Sequence, residues 1–516
     1  MVLSSRRPMK LLRKIKDIFK PIDMTKGSIY KAILIFLVPT ILSMVFQQIY
    51  TLTDAIIVGQ TLSESEVAGV NSTGSLVFIV LNFGIGCTSG FSVVIAAAIG
   101  ANDSKRMRRS YLIQIILCFL VSVALTFIGI AMIPTMLGFL GIHESAIDPA
   151  MHAEYLAAAT YLTIIFAGTI AQVFYNMIVS ILRAMGDSFN PFLFLVASTI
   201  LNVFLDLLFI TVFHWGVAGS AFATVVSQGV AAIGAILYVY FRYKNLRLTK
   251  KDFHISWHAI LRHIKNGFPL GFQYSVLAIG IIVMQNAVIR FDINPDGSML
   301  ASMPAQLGYG AASKIINLLM VPGNAIGTAV LAFTGQNYGA NQNTRIKRGI
   351  KAAFYIGLGF YAATTIIGLL LTVNGAYQYL FLSAEKVTAG SIAYGNLYLY
   401  ICVPSLIILT VLFIFRNALQ GLEKPFWPLM SGFGELVARV LVCSFVPLLI
   451  NGAAINSGAS FISFVGAVLG DPIAWIISPL IALIPLLSYV RKLPDNTFHA
   501  DGVKGVKAED STRVHA

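Results

Sequence analysis

Charge is the scarcest property of this 516-residue chain: 11% of its residues are Asp, Glu, Lys or Arg, against about 25% in a typical soluble domain. So little charge cannot cover a water-facing surface, which sets aside soluble enzymes, disordered tails and coiled coils. Cysteine is nearly missing as well. Cys87, Cys118, Cys402 and Cys443 all fall inside apolar stretches without metal-ligand spacing, which argues against a disulfide or zinc framework. The eight histidines include no H-E-x-x-H pair, and no G-x-x-x-x-G-K-[ST] motif supports ATP-driven pumping. A selectivity-filter segment, a ring of like charges and a soluble signalling domain are equally absent, which disfavours a channel or receptor. No enzymatic activity and no cofactor is expected.

What is plentiful is hydrophobic: 57% of the chain. Crossing a ~30 Å hydrocarbon core takes about 20 apolar residues, and twelve such stretches occur, near 32–60, 67–99, 110–135, 155–180, 190–213, 216–241, 266–289, 302–336, 352–374, 387–415, 426–450 and 472–490. The first is too long for a signal-peptide core and lacks a small-residue cleavage site behind it, so it is expected to stay. Pro39, Pro269, Pro322 and Pro404 give the spans places to kink.

The net charge of +14 would point to nucleic acid in a soluble protein, but here it is distributed as an orientation signal. Segment 1–31 carries a net +7, loop 101–109 +3, loop 242–265 +6 and loop 341–351 +4. The alternate loops are acidic, with Glu64 and Glu66, then Glu144, Asp148 and Glu154, then Asp292 and Asp296, and finally Asp471; Lys386 is a mild exception. The basic side reads as cytoplasmic, and twelve crossings put both termini there, in a plasma-membrane protein that meets lipid and no nucleic acid. The polar stretch 491–516 is read as a cytoplasmic tail without assigned function.

Two halves of the chain repeat. IGANDSKRMRRS after the second span matches YGANQNTRIKRG after the eighth, pairing Gly100 with Gly339, Arg106 with Arg345 and Arg109 with Arg348 at an offset of 239. LRAMGDSFNP matches LQGLEKPFWP, pairing Pro191 with Pro428 at an offset of 237, and Pro39 and Pro269 stand at comparable points at 230. The fold expected is therefore an all-α polytopic membrane protein of about 12 helices in two pseudo-symmetric six-helix lobes. The lobes run over 32–241 and 266–490, joined by a basic linker at 242–265. Parallel repeats of this kind are the usual build of secondary transporters. Side-chain amides inside the spans, including Gln47, Gln48, Gln172, Asn176, Asn202, Gln273, Gln285, Asn286 and Asn317, need one another or water, since leaving them against lipid is costly.

Ionisable residues at mid-membrane cost roughly 2.5–3.5 kcal/mol each even on lenient scales, so Asp54, Asp206, Lys314, Glu435 and Arg439 stand out. Arg290 and Arg416 sit at span ends, where snorkelling accounts for them. Gln47, Tyr50 and Asp54 share one helix face, as do Asn202 and Asp206. With Thr224 of the sixth span, these acids come to a similar depth, roughly 10 Å inside the acidic boundary at 1.5 Å per residue. Two close carboxylates with an amide and a hydroxyl can share a proton or ligate a small cation such as Na⁺. The plainer alternatives are that Asp54 caps its helix and Asp206 bonds a nearby backbone. Glu435 and Arg439, four apart, read as a structural ion pair, with Lys314 either neutralising Glu435 or meeting an anionic group. No acid occurs between Asp252 and Asp292, so coupling is expected in the first half only.

The chain resembles the multidrug and toxic compound extrusion (MATE) family of secondary antiporters over about residues 25–490. TLTDAIIVGQ (51–60) resembles the family's first-helix segment and maps its aspartate to Asp54. NVFLDLLFI (202–210) resembles the fifth-helix Asn-x-x-x-Asp pattern, at Asn202 and Asp206. WGVAGSAFATVVSQ (215–228) resembles the sixth-helix segment, whose threonine maps to Thr224. LRAMGDSFNP and GQNYGANQ resemble its loop motifs. The resemblance implies a V-shaped pair of lobes and export of amphiphilic, cationic drugs or metabolites against inward H⁺ or Na⁺. It also implies a first helix that bends near Pro39. The seventh span lacks the acid that some members use, and Arg416 and Asn417 stand near the end of the tenth. Tyr50, Gln172, Tyr175, Asn176, Gln285 and Gln47 are candidates to line the substrate cavity, in a protein expected to act as a monomer. A flippase for lipid-linked saccharides is the alternative; its cavity would need to be cationic.

Overall fold

The computed structural model describes residues 20–144 and 149–495. The basic residues before Lys20, Asp148 and the tail beyond Asp495 lie outside the described residues. Among the described residues, eleven helices are long and apolar enough to cross a membrane, and a bent pair makes the twelfth. In chain order the spans are Ile29–Thr61, Glu64–Gly100, Ser104–Phe139, the pair Pro149–Ala167 and Thr169–Ala184, Phe189–Leu207, Gly216–Arg242, Trp257–Ile289, the pair Pro304–Leu319 and Val321–Gly339, Asn343–Leu371, Ala389–Gly421, Phe426–Asn451, and the pair Phe461–Val468 and Gly470–Lys492. The fourth bends by 48° at Gly168. A π-helical turn, Leu208–Val212, extends the fifth immediately after Asp206.

The loops show the repeat at the level of single backbone angles. Asn102 and Asn341, 239 apart, both take left-handed φ, at 52° and 54°. Gly186 and Glu423, 237 apart, do the same at 79° and 57°. Asn tolerates that region better than most residues, whereas Glu423 takes it at a cost that its bond to Arg262 helps to offset. Acidic-side residues also have local tasks. Glu66 completes a capping box with Ser63, and Asp292 caps the eighth span by accepting from the backbone of Ala305 and Gln306 at 3.1 and 2.7 Å.

Two spans are shared between the lobes. Ile33, Phe36 and Leu37, from the first half of the first span, are buried in a core built by the eighth, ninth, tenth and twelfth. Beyond Pro39 the same span packs on the fifth, in its own lobe. The seventh mirrors this. Its beginning (Ile260, Ile264, Phe268) packs on the first-lobe core, and its end (Met284, Ala287, Val288) enters the second. Pro39 and Pro269 mark the two crossings.

The lobes touch closely on the basic side. A methyl group at Gly90 would overlap the Asn266 carbonyl, and one at Gly100 the Gln336 carbonyl, with Gly339 in the same relation to Ala97. Bare backbone is what lets the second span press against the seventh and eighth. Toward the acidic face the second span turns to its own lobe, where Gly69 meets the Glu154 carbonyl. The lobes therefore diverge into a V-shaped cleft.

Candidate functional site

The fifth span is mostly turned toward lipid, yet Thr199, Asn202 and Asp206 are buried along one face. That face meets the first and sixth spans. Asp54 and Asp206 come within hydrogen-bonding reach of each other, and Asn202 Nδ2 lies 3.5 Å from Thr224 Oγ1. The Tyr50 hydroxyl is within reach of Thr224 and close to Asp54. All four residues expected to form the coupling site thus converge, and Tyr50 joins them. Tyr161 of the fourth span, beside both acids, carries no motif in the sequence and is recognisable only from its position.

The oxygens here are conspicuously short of donors. Asp54 Oδ1, both carboxyl oxygens of Asp206 and Asn202 Oδ1 are buried without a hydrogen-bond partner. Buried acceptors normally find donors. A proton placed between the two carboxyls, or a small cation among the four oxygens, would satisfy them. The donor set is all hard oxygen and fits either.

The other first-lobe candidates are more dispersed. Pro39 is buried within a continuous helix, and Ser43 Oγ donates to its carbonyl at 2.8 Å. Gln47 is exposed. Asn176 turns its Nδ2 back onto the Gln172 carbonyl at 2.9 Å. Tyr175 lies near Arg183, which also approaches Tyr274 of the other lobe.

A cavity of about 370 Å³ is lined mainly by the second lobe, including Gln285, Gln273, Asn317, Asn417 and Tyr274, with Phe78 and Asn82 of the second span on its other side. A chain of charges runs along its wall. Arg416 Nη2 reaches Glu435 Oε2 at 2.7 Å, Arg439 Nη2 reaches Glu435 Oε1 at 3.2 Å, and Arg439 reaches Asp471 at 2.8 Å. Tyr398 donates to Asp471 Oδ2 at 2.8 Å, and Ser431 and Ser478 bind Arg416.

Three expectations change here. The Glu435–Arg439 pair exists, but Lys314 does not belong to it: its Nζ lies over the Phe381 ring, 5.0 Å from the centroid. Arg416 does not snorkel; it is buried and held by Glu435, Ser431 and Ser478. Asp471 is not an outer-loop charge but a buried partner at the start of a helix. Sequence spacing could not place Asp471 because its partner lies 32 residues away on the neighbouring span.

Two blocks of the chain, residues 39–208 and 306–445, match the MatE family model. The chain belongs to the MatE family. It is accordingly a multi-pass membrane transporter and not an enzyme. Relatives include "Probable multidrug resistance protein YpnP" of Bacillus subtilis, 28% identical over 63% of this chain and 69% of that protein. "Probable multidrug resistance protein YoeA" of the same organism is 28% identical over 70% and 75%. Among solved structures, the outward-facing conformation of a multidrug resistance MATE family transporter superposes with a TM-score of 0.77. It is 21% identical, and the superposition covers 92% of this chain and 98% of that one. As a MatE protein with the same fold, the chain has its two lobes, central cleft and buried acid pair in one transporter framework.

Proposed function

We propose that this MatE protein exports amphiphilic, cationic drugs or metabolites by alternating access, driven by H⁺ or Na⁺ entering at Asp54, Asn202, Asp206 and Thr224. The reading rests chiefly on the four buried, donorless oxygens of that site. Taking up a proton or cation there changes the charge beside the first span, which is shared between the lobes through Pro39. An ion that favours one arrangement of this span and a substrate that favours the other are coupled by necessity. With the basic face read as cytoplasmic, the cleft opens outward, and the close crossing at Gly90 and Gly100 is the inner gate. The multidrug resistance relatives support the substrate class. Gln47, Tyr50, Gln172, Tyr175, Asn176 and Gln285 are proposed to meet substrate. The protein is taken to act as a monomer in the plasma membrane.

Flipping of lipid-linked saccharides is less well supported. A pyrophosphate needs available cations, whereas Arg416 and Arg439 in the second-lobe cavity are already bound to Glu435 and Asp471. The deciding experiment is substrate efflux from proteoliposomes under separately imposed pH and Na⁺ gradients. Export driven by one of them, and lost in Asp54→Asn, is expected. Gradient-independent export, or wild-type export by Asp54→Asn, would overturn the proposal.

A further inference from the structure

The basic face holds a second, chemically distinct pocket of about 200 Å³, between the beginnings of the third and seventh spans. Arg106, Arg109, Ser110, His258, Arg262 and His263 line it, with Val94, Ala98 and Ile113 as its apolar floor. His263 is already fully engaged: Nδ1 faces the Ala259 carbonyl at 2.8 Å and Nε2 the Ser110 hydroxyl at 2.7 Å. Arg262 forms a fork with Glu423 at 2.7 and 2.5 Å. Arg106 and Arg109 are different. Neither has a carboxylate within ion-pair distance among the described residues, and Arg109 Nε is buried with no hydrogen-bond partner.

The repeat shows what is missing. At an offset of 239 the other lobe supplies a basic equivalent for Arg106, Arg108 and Arg109, namely Arg345, Lys347 and Arg348. Arg108 pairs with Asp252 at 2.9 Å, in the segment following the sixth span. Its counterpart Lys347 pairs with Asp495 at 2.8 Å, in the segment following the twelfth. Arg345, the counterpart of Arg106, donates to three backbone carbonyls of the N-terminal segment: Met24 at 3.1 Å, Gly27 at 2.7 Å and Lys26 at 2.8 Å. The guanidinium of Arg106 meets no such cluster of oxygens. Charge placement at the helix end sharpens the imbalance. Lys105, Arg106, Arg108 and Arg109 crowd the start of the third span, where the one acid, the N-cap Asp103, is engaged by the backbone N–H groups of Lys105 and Arg106 at 3.0 Å. The Asp103 carboxylate thus answers the helix end, and the guanidinium groups of Arg106 and Arg109 are left to the pocket.

The geometry points to a phosphate-binding site in this pocket, with Arg106 and Arg109 supplying the charge-assisted donors that Arg345 directs at carbonyl oxygens in the other lobe. A tetrahedral oxyanion offers several acceptor oxygens at once, which suits two arginines lining one pocket. Its phosphate can come from an anionic phospholipid or from a soluble phosphate. The lipid source is favoured by Trp257 and Phe253, exposed beside the pocket by 67% and 63%, since exposed aromatics and basic pockets between spans are features of lipid-headgroup contact.

Purified full-length protein in a neutral detergent tests this by thermal unfolding with phosphatidylglycerol, with phosphatidylcholine and with inorganic phosphate. Phosphatidylglycerol is expected to stabilise the wild-type chain more than phosphatidylcholine. In Arg106→Gln/Arg109→Gln its apparent affinity should fall roughly thirtyfold. A matching stabilisation by inorganic phosphate alone would assign the site to a soluble phosphate. Native mass spectrometry of the wild-type chain guards against a poorly folding variant, by counting retained phosphatidylglycerol against phosphatidylcholine. Equal retention of both lipids together with no effect of inorganic phosphate overturns the proposal. So does an unchanged phosphatidylglycerol response in the double variant.

Discussion

Arg439 and Asp471 form a buried ion pair across the last two spans, with Arg439 Nε and Nη2 both directed at Asp471 Oδ1, at 2.9 and 2.8 Å. Neither residue is more than slightly exposed, and Tyr398 and Glu435 complete their shells. Removing Asp471 leaves Arg439 with only Glu435, which Arg416 also holds, in a low-dielectric site. Asp471→Asn should therefore cost about 3–5 kcal/mol of stability, read as a lowered unfolding temperature in detergent. A double variant replacing both residues with apolar ones should be less damaging than the sum of its singles. Simple additivity would mean the two side chains act independently.

The first-lobe acids should behave in the opposite way. Asp206 has two buried carboxyl oxygens without donors, so an amide at this position removes an uncompensated acceptor. We expect Asp206→Asn to unfold at the same temperature as the wild type or higher. Its gradient-driven transport should fall at least tenfold, the scale of a ~1.4 kcal/mol effect. A variant that loses stability and transport in parallel would make Asp206 a structural residue.

Glycines at the lobe contact should report on gating. A Cβ at Gly90 meets the Asn266 carbonyl too closely for the second and seventh spans to remain where they are. Gly90→Ala should push the lobes apart on the basic side. Cysteines introduced at Ala97 and Gln336 should then cross-link less readily than in the otherwise wild-type protein. Undiminished cross-linking would show that the contact yields locally.

The N-terminal segment is held by buried side chains of the second lobe. Met24 donates its N–H to Gln336 Oε1 at 3.0 Å, Gln336 Nε2 donates to Ala184 O at 2.7 Å, and Arg345 grips three carbonyls. Arg345→Ala should release residues 24–27, with hydrogen bonds from a charged donor contributing about 1.5–3 kcal/mol each. Hydrogen exchange over Met24–Ser28 should accelerate strongly in that variant, while exchange in the eleventh span stays unchanged. Unaltered protection at Met24 would show that Gln336 suffices.

Much of this protein is legible in its sequence. Twelve spans, their orientation bias and the duplicated half follow from apolar run length and charge placement, both local properties that the bilayer enforces. The convergence of Asp54, Asn202, Asp206 and Thr224 was also within reach. Helical periodicity fixes which residues share a face, and a membrane of fixed thickness turns residue counts into depths. Position around the bundle is another matter. The partners of Arg416, the burial of Asp471, the release of Lys314 to Phe381, and Tyr161 beside the acids depend on which span stands next to which. So does the sharing of the first and seventh spans between lobes. Those neighbours are chosen by side-chain packing between segments distant in sequence, and no pattern along one helix records them.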